Sequence, residues 1–69
     1  LRVAHVQDRE GVVVIEVMGM DGKRYAEWSE LLPQGSYQHE LSVKGMPKGM
    51  ALVRVAANGE TTVRRIIIR

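Results

Sequence analysis

Apolar and polar residues follow one another in steps of two along much of this chain, and no stretch repeats in the steps of three and four that an amphipathic helix requires. Short apolar runs rich in Val and Ile recur at close intervals, separated by Gly, Asn, Asp and Pro. That is the pattern of a small sandwich or barrel. Six strands are predicted. The first spans about Leu1 to Gln7 and the second about Gly11 to Met18, where Val12-Val13-Val14-Ile15 reads as a central strand covered on both faces. Gly19-Met20-Asp21-Gly22 supplies a turn, since Asp-Gly accepts the positive φ angles of tight hairpins. A third strand follows from Lys23 to Trp28, and Ser29 to Gly35 reads as a loop because Pro33 removes a backbone donor and Gly35 frees the next turn.

From Ser36 to Val43 the alternation is clean, with Tyr37, His39 and Leu41 facing a core and Gln38, Glu40 and Ser42 facing solvent. Lys44 to Gly49 forms a second Pro and Gly corner. The fifth strand, Met50 to Ala57, sets Ala51, Val53 and Val55 opposite Arg54. Asn58-Gly59 is the strongest hairpin signal in the chain and predicts that strands five and six pair antiparallel. In the last strand, Glu60 to Arg69, Ile66 and Ile68 share one face and Val63 and Ile67 the other, which predicts partial cover on both.

At 69 residues the chain makes one domain, residues 1–69, and folding at this size buries only about 60% of the surface exposed by the unfolded chain. Hydrophobic residues make up 45% and charged residues 26%, so there is a core to bury and no disordered tail, collagen-like repeat or membrane-inserted span is expected. The absence of Cys removes disulfides and thiolate metal sites. A start at Leu1 rather than Met is read as a segment of a longer secreted protein. The net charge of +2 points to no nucleic acid, because basic residues mostly alternate with acids and gather only at Arg64, Arg65 and Arg69.

Candidate chemistry is sparse. His5 and His39 lie within strand patterns without the further ligands a metal centre needs. Asp8, Glu10 and Asp21 sit at turns where carboxylates serve local hydrogen bonds, and Ser29, Ser36 and Ser42 have no nucleophile-elbow context. No enzyme activity and no cofactor are expected. Tyr25 and Trp28, three apart on a strand, are expected on opposite faces, which disfavours an aromatic platform for sugars. Met18, Met20, Met46 and Met50 read as fillers of the core or its rim.

The order of the turns resembles that of the C-terminal sorting domains of the bacterial type IX secretion system. Asp21-Gly22-Lys23-Arg24 resembles the family's first turn, and Gly35-Ser36-Tyr37-Gln38-His39-Glu40-Leu41-Ser42-Val43 its glycine loop and following strand. Met46-Pro47-Lys48-Gly49-Met50-Ala51-Leu52-Val53-Arg54-Val55 resembles the proline and glycine corner with its strand, and Arg65-Ile66-Ile67-Ile68-Arg69 the closing basic and apolar stretch. The resemblance runs from about Val12 to Arg69. Two departures stand out: Ala51 replaces the family's usual tyrosine, leaving its volume to neighbours, and the Tyr-Pro-Asn-Pro opening is absent.

The resemblance implies an all-β, small immunoglobulin-like antiparallel sandwich. It implies a signal recognised in the periplasm by the type IX machinery, which carries an upstream cargo in the same chain across the outer membrane to the cell surface or medium. A sortase-like protease then commonly removes the domain. Carried over residue by residue, the recognition elements are Gly49 and the terminal Arg65, Ile66, Ile67, Ile68 and Arg69. An accessory immunoglobulin-like module of a larger secreted enzyme or adhesin is the alternative. A detached or exposed final strand also predicts a domain-swapped or edge-strand dimer.

Overall fold

A computed structural model describes all of residues 1–69. Six strands form two antiparallel sheets: β1 (Arg2–Gln7), β2 (Gly11–Gly19), β3 (Arg24–Leu32), β4 (Gly35–Glu40), β5 (Gly49–Ala57) and β6 (Glu60–Ile68). The larger sheet has the order β3-β2-β5-β6, and β1 with β4 makes a two-stranded sheet packed on one face of it. The chain is therefore all-β, a small immunoglobulin-like antiparallel sandwich.

The period of two decides which side chains meet between the sheets. Val13, Ile15 and Val17 of β2, Leu32 of β3, Ala51 and Val53 of β5 and Ile68 of β6 are buried as one cluster. Leu1, Val3, Tyr37, Leu41 and Val43 of the β1–β4 side pack against them. Because only one face of the large sheet is covered, the Val12-to-Ile15 run is not covered on both faces as expected. Val12 is 60% exposed and Val14 half-buried. The strand is central through its ladders, paired with β3 on one side and β5 on the other. The same geometry leaves Val63 and Ile67 of β6 on the open face, 54% and 62% exposed, so that strand is also covered on one face only.

The third strand runs past Trp28, where a loop was expected, and continues to Leu32. β2 offers partners for the whole extension, from Val14 opposite Ser29 to Gly11 opposite Leu32, and the buried Leu32 anchors it. Only Pro33 and Gln34 separate β3 from β4. The β4 ladder, in contrast, stops at Glu40 rather than Val43. Leu1 and Leu41 exchange two further backbone bonds (2.7 and 3.0 Å), and the chain then turns away, with the Met46 amide donating to the Val43 carbonyl (3.1 Å).

A bulge between Val17 and Met18 changes the aromatic geometry. Val17 faces Ala26 while Met18 faces Arg24, so Tyr25 has no partner of its own. The extra residue turns Tyr25 to the core side, where it joins Trp28 instead of standing on the opposite face. A Cβ at Gly19 would stand 2.9 Å from Tyr25 Cζ and 2.8 Å from Asp21 Oδ1. Gly19 pairs with the fully buried Ala51, so Tyr25 brings aromatic volume to the neighbourhood in which Ala51 supplies little.

Asn58, at φ 56°, and Gly59, at φ 73°, form the two-residue turn between β5 and β6. Asn58 has a second role. Its Nδ2 donates to the Val6 carbonyl (2.9 Å) and its Oδ1 accepts from the Asp8 amide (3.2 Å). These bonds tie β1 to the β5–β6 hairpin. Asn58→Gly keeps the positive φ and removes the tie, so unfolding free energy should fall by about 1–2 kcal/mol. Asn58→Ala should cost roughly a further 1 kcal/mol from left-handed strain. Urea denaturation of the three proteins, with equal midpoints for wild type and Asn58→Gly, would show the tie to be energetically silent.

Candidate functional site

The two edges of the large sheet are built differently. β3, at one edge, carries the bulge, ends at Pro33 and presents Glu27, Ser29 and Glu30 to solvent. Bulges, charge and Pro all discourage another strand from pairing there. β6, at the other edge, is nine residues long, pairs with β5 in unbroken register and contains no Pro. The hairpin fixes its phase. With a two-residue turn, Ala57 and Glu60 are the first hydrogen-bonded pair, and bonded pairs recur at Thr62, Arg64, Ile66 and Ile68. The backbone groups of Thr61, Val63, Arg65 and Ile67 therefore point away from β5, along the free edge. Their side chains lie on the open face, so β6 presents unpaired backbone together with exposed Val63, Arg65 and Ile67.

This geometry brings the sequence-predicted residues together. Gly49 pairs with Ile68, Met50 with Ile67, Ala51 with Ile66 and Leu52 with Arg65. Gly49 sits at φ 122°, a conformation that side chains rarely adopt, where the Pro47-Lys48 corner feeds into β5. Ile68 is buried and Ile66 half-buried, so these two hold the strand onto the core, while Arg65, Ile67 and Arg69 face outward. Met50, 50% exposed, lies beside Ile67, and with Arg65 and Arg69 they line a shallow depression. Met50 and Val63 were absent from the sequence-derived set. The signal for them was their cross-strand position, which follows only once the register is known.

Charge on the open face is arranged around Glu16, which is 3% exposed although its face is not covered by a sheet. Arg24 Nε lies 2.9 Å from Glu16 Oε2 and Arg54 Nη2 2.8 Å from Oε1, while Arg24 Nη1 reaches Glu27 at 3.5 Å. Two guanidiniums roof the carboxylate and satisfy both of its oxygens. Arg64, Arg65 and Arg69 form none of the ion pairs present, so the free basic character of the sheet is concentrated on β6 and its end.

His5 and His39 meet between the sheets, which their separation in sequence did not reveal. His39 Nε2 and His5 Nδ1 are 3.0 Å apart, the rings nearly parallel with centroids at 4.9 Å. Tyr37 lies over His5 (5.4 Å) and Trp28 against His39 (4.7 Å). Trp28, Tyr25 and Tyr37 are thus half-buried interior groups. On β1, Oε1 of Gln7 and Nε2 of His5 are buried without a protein partner. The Asp21 carboxylate accepts from the Lys23 amide (3.0 Å), as expected of a turn carboxylate, whereas Asp8 takes part only through its backbone amide, which donates to Asn58, and Glu10 is exposed in the first turn. Ser29, Ser36 and Ser42 are exposed.

The chain matches, over residues 3–69, the model of the family described as the secretion system C-terminal sorting domain. It belongs to that family, the type IX secretion sorting domains. No curated protein and no solved structure matches it. As a type IX sorting domain it interacts with the secretion machinery and directs export toward the cell surface or the medium. In this sorting domain, the corner before β5 and the closing basic strand, far apart along the chain, become neighbours in one ladder.

Burial holds the His39 imidazole below its ordinary value of 6.5, the nearby His5 adds to the effect, and Glu30 opposes it. A lowered folded-state value means the neutral form is favoured by folding. The stability this contributes is present above pH 6.5 and is lost as pH falls through the folded-state value. The melting temperature should therefore drop between about pH 7.5 and about pH 5.5, and His39→Gln should flatten that segment of the profile. Parallel pH–melting curves for wild type and His39→Gln would contradict the assignment.

Proposed function

We propose that this sorting domain carries an attached upstream cargo through the periplasm and across the outer membrane, and that it performs no chemistry of its own. Recognition by the secretion machinery centres on Gly49 and on Arg65, Ile66, Ile67, Ile68 and Arg69. The observation that carries this reading is the contrast between the sheet edges: β3 is bulged and acidic, whereas β6, of equal length, is regular and basic, with outward backbone groups at Val63, Arg65 and Ile67. An edge of that kind can be joined by a strand of the machinery, with backbone bonds giving affinity and Arg65 and Arg69 giving sign selectivity. Within the set, Ile66 and Ile68 hold β6 in place, and Gly49 allows the corner that begins its partner strand. Removal of the domain by a sortase-like protease is the expected last step. The unguarded β6 edge would also support an edge-strand dimer when no machinery is present.

The test is a reporter with a signal peptide, fused at its C-terminus to residues 1–69, in a bacterium with a working type IX system. The full fusion should reach the surface or medium, and a version lacking Arg65 to Arg69 should stay in the periplasm. Because that truncation removes the buried Ile68, the double variant Arg65→Glu/Arg69→Glu is run beside it. Both of its positions are exposed, so it should fold and still lose at least about tenfold in export. Retention of the full fusion in the periplasm would instead favour an accessory immunoglobulin-like module.

A further inference from the structure

The two-stranded sheet is too narrow for the sheet it covers. Trp28 of β3 touches His39 of β4, so β4 covers the β3 side. β1 comes next, and no strand lies over the inner face of β6 from Thr62 to Ile66, where Thr62 and Arg64 are exposed and Ile66 is half-buried, while Ile68 at its end is buried. Between the free edge of β1 and this face runs a cleft of about 520 Å³, which Leu1, Val3 and His5 line on one side and Val53, Arg64 and Ile66 on the other.

The free edge of β1 has a definite hydrogen-bonding phase. Leu1 and Leu41 bond to each other through both backbone groups, so Val3, His5 and Gln7 also bond inward to β4. Arg2, Ala4 and Val6 turn their backbone groups outward over the cleft. The position of Asn58 agrees with this phase, since its side chain meets the Val6 carbonyl and the Asp8 amide, both on the outward edge. One side-chain amide, donating and accepting as a peptide group would, already occupies the first rung of a ladder that the backbone of Arg2 and Ala4 could continue. The spacing between paired strands, about 4.8 Å, places such an added strand over β5 and β6. At the mouth of the cleft stands Arg64, which forms none of the ion pairs in the molecule.

We propose that this cleft is an acceptor groove for an extended peptide of a partner protein, which joins β1 as a third strand and turns apolar side chains inward and a carboxylate toward Arg64. The occupant is recognised by backbone first, through Arg2 and Ala4, up to the register stop set by Asn58. Its inward apolar residues lie on Val53 and Ile66 and close the open side of the sandwich. The groove uses the inner face of β6 and leaves its outer edge free; it shares with the sorting set only Ile66, which holds β6 in place there, and it does not rest on that reading.

The probe is the acetylated, amidated peptide Thr-Val-Thr-Glu-Thr-Val-Thr, titrated into the isotopically labelled 69-residue chain. Amide shifts are expected at Arg2, Ala4 and Val6 and from Thr62 to Ile66, and a peptide with Lys in place of Glu should bind several-fold more weakly. Ala4→Pro removes an outward N–H without touching the β1–β4 ladder, and should weaken binding by at least about tenfold. Arg65→Pro, which does the same on the outer edge of β6, should leave binding unchanged. Arg64→Glu should reverse the preference between the two peptides, and this keeps the test decisive if Ala4→Pro misfolds. Shifts confined to Val63, Arg65 and Ile67, equal affinity of well-folded Ala4→Pro, or no shifts at millimolar peptide would each overturn the proposal. So would a dimer of the chain that dissociates on Ala4→Pro substitution, because the occupant would then be a second copy.

Discussion

Two strands spaced about 4.8 Å apart cannot cover the inner face of four. Almost every other property of this domain follows from where the shortfall is placed. The small sheet is set toward β3, so the histidines and aromatic residues of β1, β3 and β4 pack together at one side. At the other side β6 is held only through β5 and through the inward Ile66 and Ile68. The strand that carries the unpaired Arg64 and Arg65 is therefore also the strand least enclosed by the rest of the molecule.

The outer face shows how a sheet without a second cover remains compatible with water. Its middle is a carboxylate roofed by two guanidiniums, which stands between the exposed pair Val12 and Leu31 on one side and Met50 and Ile67 on the other. Arg24 and Arg54 extend aliphatic stems across the strands and keep their charged ends hydrated, so Glu16 loses water while gaining two partners. The charged cluster keeps these two exposed pairs from merging into one patch.

Much of the strand pattern was legible in the sequence because turn chemistry is local. Asp21-Gly22, the Pro47 to Gly49 corner and Asn58-Gly59 mark their turns wherever the chain lies in space. The inward set of Tyr37, His39 and Leu41 followed from the period of two. Misreadings arose where a distant partner decides the outcome. Whether Val12 and Val63 are covered depends on a second sheet whose width no local pattern encodes. The length of β3 depends on the length of β2, which rescues Ser29 to Leu32 from reading as a loop. Tyr25 changed face because one unpaired residue shifts the alternation, and neither β2 nor β3 announces a bulge in its composition. In the candidate site, Gly49 and the terminal residues were legible from family resemblance, whereas their pairing in one ladder, and the meeting of His5 with His39, required the register.

Asn58 joins structural functions that are usually kept apart, because a single residue both turns the β5–β6 hairpin and fastens it to β1. Asn followed by Gly is also the dipeptide most prone to spontaneous deamidation, in which the glycine nitrogen attacks the side-chain amide and ammonia is lost. Hydrolysis of the resulting ring gives aspartate or isoaspartate. The Nδ2 donor is then gone, and a carboxylate oxygen faces the carbonyl of Val6 in its place. Chemical ageing at this one bond would act at a distance from the turn, releasing the first strand from the hairpin and giving the domain a built-in clock for the loosening of its two sheets.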